Sequence, residues 1–322
     1  MIMDAWSRSL LFKEFLELYE AYAEGRDVTL EPSRPYREYV AWLRRQDSTQ
    51  TEAYWRRTLK GLSSATVPQG EAFEYEEAHR SEEQEIRLSA ELTTALQKRA
   101  REHRLTLNTF VQGAWALLLG RYSGDTDVVF GTVVSGRPVE LASGGEIVGL
   151  FINTLPRRVR IERDQTVLEW LQQLQSQQVE LAQYEHSSLV QVQAWSDVPR
   201  GKPLFECVLN FGNAFVDASL RKQHRELSIC DVQFIEQSHY PLALEVAPGV
   251  EMSLRMLYVA SRYNSAIIGE MLKNLEDLLR EMSSNPTRPV RELWVTKQAH
   301  SMPAALLNEH LRAVDAEAQF VF

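Results

Sequence analysis

One stretch, residues 127–156, constrains the fold of this chain more than any other part of the sequence. It begins with the apolar run VVF at residues 128–130 and turns at the Ser-Gly-Arg-Pro segment, residues 135–138. A second apolar run, residues 147–155, follows the glycine pair at 144–145. Two short apolar runs joined by a Gly-rich connection predict two buried strands that carry a loop between them. Such a loop is either a functional site on a rigid scaffold or an ordinary crossover between core strands.

Size and charge limit the classes of protein that fit. The chain has 322 residues and 44% hydrophobic residues, which predicts two lobes, or one lobe with a fragment of another. Its net charge is -9, and its 35 basic residues are spread along the chain without a Lys/Arg block. We therefore predict no nucleic-acid partner, because binding to phosphates depends on concentrated positive charge.

The number of cysteines and the lengths of the apolar runs indicate the cellular compartment. Cys207 and Cys230 are the two cysteines, which are too few for a disulfide framework. No run approaches the roughly 18 apolar residues of a membrane span, and the first residues lack the pattern of a signal peptide. We therefore predict a cytoplasmic protein without a membrane partner.

The hydrophobic periodicity predicts a helical first part followed by a mixed lobe. Residues 6–22 have the spacing of an amphipathic helix, and two further segments rich in aromatic residues, 36–45 and 48–59, are also helical. Residues 61–80 are polar and acidic, which is typical of a linker between lobes. The elements after it follow the order β, α, α, β, β, α, β, β, β, α. This order predicts an α/β fold of the two-layer α+β type, with helices packed on a sheet.

Local signals set several boundaries in this lobe. Ser89 and Thr106 are predicted N-caps of two helices, and Thr166 with Glu169 forms a capping box for a third. Residues 241–247 and 251–259 alternate and are joined by Pro-Gly, which predicts a hairpin. Residues 204–211 are a predicted strand that ends near Asn210, a polar residue whose position there suggests a use.

The common catalytic and nucleotide-binding motifs are absent from the sequence. It has neither a phosphate-binding GxxxxGK[ST] nor a GxGxxG after a strand. The seven histidines lack metal-ligand spacing with cysteines or paired carboxylates, so we predict no metal site. Ser135 is not in a nucleophile elbow, because Val133 occupies the place of its first glycine. The residues alone therefore predict a cytosolic α/β lobe with a candidate loop site.

Several blocks resemble the condensation domains of nonribosomal peptide synthetases, in the order in which that family has them. Residues 4–7 (DAWS) resemble the end of the HHxxxDG motif and the Trp-Ser that follows it, with Ala5 replacing the glycine. Residues 128–138 together with 148–156 resemble the most diagnostic block. Residues 186–205 and the Asn-Phe pair at 210–211 resemble another. The block at 148–156 is similar to condensation domains rather than to epimerization domains.

The resemblance implies a fold like that of chloramphenicol acetyltransferase, with two lobes arranged as a V. In this division, residues 1–60 are a remnant of the N-terminal lobe with connecting helices, and residues 61–80 are the linker. Residues 81–293 are an essentially complete C-terminal lobe, and residues 294–322 are a tail of unknown role.

The same resemblance implies a reaction and its partners. A donor carrier domain and an acceptor carrier domain bring their substrates on phosphopantetheine arms, and an amide bond forms between them. The domain itself binds no cofactor. Its other partners are an adenylation domain or the missing N-terminal lobe. Asp4 is the motif's aspartate, with a structural role. The implied substrate tunnel is lined by Trp6, Ser135, Gly136, Arg137, Asn153 and Asn210.

One departure from the family pattern concerns the catalytic histidines. Both would precede Met1, together with the arginine that we expect to pair with Asp4, so no complete catalytic set is expected in this chain. The first hypothesis is part of a condensation domain that forms peptide bonds. The alternatives are a non-catalytic module that binds a carrier protein or another partner, and an inactive gene fragment.

Overall fold

A computed structural model describes residues 2–68, 81–138, 140–141, 144–212 and 239–295. In these residues, three helices precede a lobe in which strands and helices alternate. The helices are α1 (Ala5–Ala23), α2 (Arg37–Leu43), α3 (Ser48–Leu59), α4 (Ala90–Glu102), α5 (Leu107–Ser123), α6 (Val167–Ala182), α7 (Leu189–Trp195), α8 (Ser265–Ser284) and α9 (Val290–Val295). The strands are β1 (Ser81–Arg87), β2 (Asp127–Val134), β3 (Asn153–Arg160), β4 (Cys207–Phe211), β5 (Leu242–Ala247) and β6 (Ser253–Val259).

The strands form one six-stranded sheet in the order β1-β6-β5-β4-β2-β3. Strand β4 runs parallel to β2 and β5, whereas the other neighbouring pairs are antiparallel. The predicted mixed α/β fold is therefore confirmed, as is the hairpin, which pairs β5 with β6. The short helix α7 was not predicted.

Helices α4, α5 and α8 cover one face of the sheet and form the main hydrophobic core with it. Helix α5 is buried over most of its length, and two glycines allow its neighbours to approach closely. A methyl group at Gly113 would lie 2.7 Å from Leu171, and one at Gly120 would lie 2.7 Å from Ile161. Among the described residues, no helix combines the length and apolar character that a bilayer crossing requires.

The predicted caps begin the helices of this layer. Ser89 accepts a hydrogen bond from the Leu92 amide, and Thr106 accepts one from the Thr109 amide. Thr166 and Glu169 bond reciprocally, which confirms the capping box. These caps satisfy amides that lack partners within their own helices, so they fix where α4, α5 and α6 start.

A second hydrophobic cluster lies on the other face of the sheet and around its β3 edge. It contains Trp55 of α3, which is fully buried and donates to Ser187 Oγ at 2.8 Å. Part of the predicted linker belongs to this region: Leu62 is buried, and the Thr66 hydroxyl accepts from the Val129 amide at 2.7 Å. Residues 69–80 lie outside the described part of the chain.

The predicted second strand of the stretch 127–156 is wrong in its first half. A 3-10 helix (Gly144–Glu146) precedes it, and β3 begins only at Asn153. Residues 147–152 instead bond to the N-terminal helices: the Gly149 carbonyl accepts from the Asp4 amide at 3.2 Å, and the Leu150 carbonyl accepts from the Tyr36 hydroxyl. An apolar run that serves a helix interface and one that forms a strand look alike in sequence.

Candidate functional site

The candidate site is built around the carboxylate of Asp4, which caps the N-terminus of α1. It accepts hydrogen bonds from the Ser7 amide at 2.8 Å and from the Phe151 amide at 3.2 Å. Arg137 Nη2 lies 3.0 Å from one carboxylate oxygen and 3.1 Å from the other. Burial alone would raise the pKa of Asp4, but the hydrogen bonds from Ser7 and the charge and hydrogen bond of Arg137 outweigh it and lower the pKa.

The expectation that the arginine partner of Asp4 precedes Met1 is wrong, because Arg137 is that partner. The ion pair is almost completely buried from solvent, with 9% of the arginine side chain and 3% of the aspartate side chain exposed. Arg137 Nη1 also donates to the Ile147 carbonyl at 3.0 Å, and the guanidinium lies 4.0 Å from the centre of the Phe151 ring. Sequence reasoning missed the pair because 133 residues separate its members.

Ser7 is a second buried group of the site, which the predicted set of tunnel residues did not include. Its hydroxyl donates to the Gly149 carbonyl at 2.8 Å and accepts from the Gly149 amide at 3.0 Å. It also accepts from Arg137 Nη2 at 3.0 Å. The sequence signal that could have identified Ser7 was the Trp-Ser pair that follows the family motif. Trp6, the residue before Ser7, donates from Nε1 to the Gly145 carbonyl at 2.7 Å and is 40% exposed.

Helix α2 packs against the same loop through its aromatic side chains. The Tyr36 ring occupies the space beside Gly149, where an added methyl carbon would lie 2.1 Å from the ring. The Tyr39 ring lies 4.4 Å from that of Phe151, centre to centre. Glycine at 149 is therefore required for α2 to approach the loop.

The turn at 135–138 is fixed by Gly136. Its φ is +62°, and a methyl carbon added there would lie 2.0 Å from the Phe151 carbonyl oxygen, so this position requires glycine. The Gly136 amide donates to Glu185 Oε2 at 3.1 Å. Burial raises the pKa of Glu185, and the hydrogen bond from Gly136 offsets part of that rise. Ser135, just before it, is exposed.

Asn153 connects the start of β3 to the turn after α6. Its Nδ2 donates to the Glu185 carbonyl at 2.9 Å and to the Ser187 carbonyl at 2.7 Å. His186, between them, lies edge-on to Trp42 at 5.5 Å. Burial lowers the pKa of His186, partly offset by the charge of Glu140. Asn153 thus stabilises the turn in which the Glu185 carboxylate accepts the hydrogen bond from the Gly136 amide.

Asn210 is separate from this cluster. It lies in β4 opposite Glu245 of β5, on the sheet face that also carries Val208. Within the described residues, no hydrogen bond links Asn210 to Asp4, Arg137 or Asn153. The structure therefore brings together Asp4, Trp6, Gly136, Arg137 and Asn153 around one loop, with Ser135 at its exposed turn.

The chemical character of this site is that of a rigid, charge-balanced scaffold. The Asp4 carboxylate is ionised, and both of its oxygens already accept hydrogen bonds, which makes it a poor proton acceptor. In the described part of the chain, no group of three or more His, Cys, Asp or Glu residues is placed to hold a metal ion. The arrangement fixes the backbone at residue 4 against residues 147–151.

A model of the condensation-domain family matches residues 1–302. The chain belongs to the condensation-domain family. It is 42% identical over 302 residues to one of the proteins of linear gramicidin synthase from Brevibacillus parabrevis, an alignment that covers 93% of this chain and 6% of that protein. It is 36% identical to chondramide synthase cmdD from Chondromyces crocatus, over 91% of this chain and 8% of the relative. The chain thus spans less than a tenth of the length of these two relatives.

Solved condensation-domain structures share the fold. A holo four-domain nonribosomal peptide synthetase bound to AMP and glycine has a TM-score of 0.75 at 20% identity, over 90% of this chain and 23% of that one. The X-domain from teicoplanin biosynthesis has a TM-score of 0.72 at 20% identity, over 90% of this chain and 68% of that one. These likenesses confirm the chloramphenicol acetyltransferase-like fold expected from the sequence.

Proposed function

We propose that this chain is part of a nonribosomal peptide synthetase condensation domain that forms amide bonds between two carrier-bound substrates. The observation that carries the proposal is the buried Asp4–Arg137 pair. The aspartate of the family motif is held there, with its backbone bonded to Gly149. These contacts hold residue 4, and the backbone that leads into it, over the loop 144–153.

The reaction we propose depends more on positioning the two carrier-bound substrates than on activating them chemically. The amine of the acceptor aminoacyl group attacks the carbonyl carbon of the donor thioester, the new C–N bond forms, and the C–S bond breaks. The amine loses a proton and the phosphopantetheine sulfur leaves as a thiol. Because a thioester is already reactive, holding both arms in line supplies much of the acceleration.

Within this proposal, Trp6, Ser135, Gly136, Arg137, Asn153 and Asn210 line or support the substrate tunnel. The partners are donor and acceptor carrier domains with their phosphopantetheine arms, and an adenylation domain in the same cytoplasmic assembly. The site itself uses no cofactor. The multidomain relatives support this set of partners.

The domain division is part of the same proposal. Residues 81–293 form the C-terminal lobe, residues 1–60 belong with the N-terminal lobe, residues 61–80 connect the two, and residues 294–322 form a tail. The exposure of Leu11, Phe12 and Phe15 on α1 supports this division, because apolar surface of that kind is typical of a face that packs against another lobe.

The test supplies the protein that contains this chain with a donor thioester on one carrier and an aminoacyl thioester on another. Mass spectrometry follows the amide product. Trp6→Ala is the informative variant, since Trp6 is partly exposed at the loop and its loss leaves the ion pair in place. Val250→Ala is the control, an apolar residue in the turn between β5 and β6 that is 82% exposed.

We expect Trp6→Ala to lower the rate of amide formation by about 10- to 100-fold, because small losses of placement are costly in such reactions. Val250→Ala should keep the wild-type rate. A wild-type protein that forms no amide above the level of the carriers alone would overturn the proposal.

A second function has one specific observation in its favour. The solved relatives include a complex of the X-domain and OxyB from teicoplanin biosynthesis, with a TM-score of 0.73 over 91% of this chain. The fold can therefore bind another protein. A non-catalytic module that binds a carrier or another partner would bind a loaded carrier in pull-down experiments but form no amide, which separates the two functions.

A further inference from the structure

The outer side of α2 and the turn that follows it carry three arginines that the site itself does not use. Arg37, Arg44 and Arg45 are exposed, and none forms an ion pair or a side-chain hydrogen bond with another described residue. Nearby arginines behave differently: Arg34 pairs with Glu38 at 3.3 Å, and Arg56 pairs with Glu52 at 2.6 Å. This short segment therefore carries three guanidinium groups without a carboxylate partner, in a chain of net charge -9.

The helix sets the spacing of these side chains. Arg37 and Arg44 are seven residues apart, which is two helical turns, so they point to the same side about 10 Å apart along the axis. Arg45 follows directly beside the second of them. Guanidinium groups bind phosphate through two parallel hydrogen bonds, and an unpaired group needs to break no existing ion pair to do so.

The inner face of α2 is fixed on the candidate site. The Tyr36 hydroxyl donates to the Leu150 carbonyl, and the Tyr39 ring is buried at 4.4 Å from that of Phe151. An α-helix with its side chains is about 10–12 Å across. An anion held by the arginines would therefore lie roughly one helix diameter from the loop 144–153.

We propose that Arg37, Arg44 and Arg45 form a docking face for a carrier domain and bind the phosphate at the base of its phosphopantetheine arm. This inference rests on the proposed function, which requires such an arm to reach the loop. The arm joins the carrier through a phosphodiester that stays negatively charged at neutral pH. Arginines beside the loop would hold this charged end and leave the thiol end free to enter the site.

Two other kinds of anionic partner fit the same face less well. A nucleic acid would bring a long row of phosphates to a chain of net charge -9, which carries three arginines here and would repel the rest. A membrane surface would favour apolar side chains beside the cations, and α2 exposes no large hydrophobic residue.

The test measures binding of the full chain to a carrier domain by calorimetry, with the phosphopantetheine arm present and absent. The variant is the triple reversal Arg37→Glu, Arg44→Glu and Arg45→Glu. The control reverses three exposed cations elsewhere, Lys13→Glu, Arg200→Glu and Lys273→Glu, and so changes the net charge by the same amount. Thermal melting checks that both variants remain folded.

We expect the arginine reversal to weaken binding of the armed carrier by about tenfold or more, whereas the control stays close to wild type. The wild-type affinity should also fall with added salt, and this salt dependence should diminish in the variant. The carrier without its arm should bind the wild type more weakly than the armed carrier does.

Four results would overturn the inference. Equal weakening by the variant and the control would indicate a general charge effect. Unchanged binding in the variant would remove the face from docking while leaving the proposed function intact. Stronger arginine-dependent binding to anionic lipid vesicles than to the carrier would assign the face to a membrane. A wild-type chain that binds no carrier in either form would overturn the proposed function as well.

Discussion

Two Asp–Arg pairs lie near opposite ends of β2, and they differ in their surroundings. Arg137 and Asp4 are both almost completely buried, with 9% and 3% of their side chains exposed. Arg158 is also buried, at 7%, but its partner Asp127 is 41% exposed. The comparison teaches that the cost of breaking an ion pair depends on which partners the remaining buried charge keeps.

The partners left behind also differ. Without Arg137, Asp4 would keep two backbone amides but would remain a buried carboxylate without a countercharge. Without Asp127, Arg158 would keep the Thr58 carbonyl at 3.2 Å and the Lys60 carbonyl at 2.7 Å. We therefore expect the first pair to be essential for the local fold and the second to be largely dispensable.

The largest effect should come from Arg137→Ala. An uncompensated buried charge costs roughly 3–5 kcal/mol, and chemical denaturation should show a loss of stability of that size. Arg160→Ala is the control, since Arg160 is 63% exposed and lies 3.6 Å from Asp127. A loss below about 1 kcal/mol for Arg137→Ala, the range of a surface pair, would mean that Asp4 is not buried in solution.

Gly136→Ala should come next. The new methyl group would meet the Phe151 carbonyl at 2.0 Å, at a φ of +62° that disfavours side chains. We expect a loss of about 1–3 kcal/mol from strain and local displacement, measured by denaturant unfolding. Gly124→Ala is the matched control, with a φ of +82° and nothing within 4 Å of the new carbon. Equal losses in the two variants would leave backbone conformation alone as the cause.

Much of the lobe that surrounds these pairs was predictable from sequence, because its signals are local. The capping box at Thr166 and Glu169 and the β5–β6 hairpin each depend on residues close together in the chain. The resemblance identified the loop and most of its side chains in the same way, from contiguous motifs. The contacts that join these elements are not local.

The Asp4–Arg137 pair and the double hydrogen bond of Ser7 to Gly149 each join residues more than 130 positions apart. No periodicity encodes such contacts, so the sequence predicted Arg137 as a tunnel residue and missed it as the partner of Asp4. The same reason explains the wrong strand at 147–152, where apolar side chains pack on α2 rather than in the sheet.

Acid unfolding should sharpen the comparison further. The pKa values of Asp4 and Asp127 are both lowered in the folded state, so each carboxylate stabilises the fold above its unfolded pKa near 3.8. This stability is lost as the pH falls through the lower folded value. We expect Asp4→Asn to flatten the dependence of unfolding free energy on pH between about 5 and 2 more than Asp127→Asn does. Identical profiles for the two variants would contradict the assigned difference in burial.

The smallest effect should come from Asp127→Asn at neutral pH. The pair is more than a third exposed on the aspartate side, so water screens it, and Arg158 keeps its carbonyl partners. We expect a loss of about 0–1 kcal/mol, diminishing with added salt. Asp164→Asn is a suitable control, because Asp164 pairs with Arg291 at 3.0 Å while 92% of its side chain is exposed. A loss for Asp127→Asn as large as that for Arg137→Ala would show that the pair with the exposed aspartate contributes as much to stability as the buried pair does.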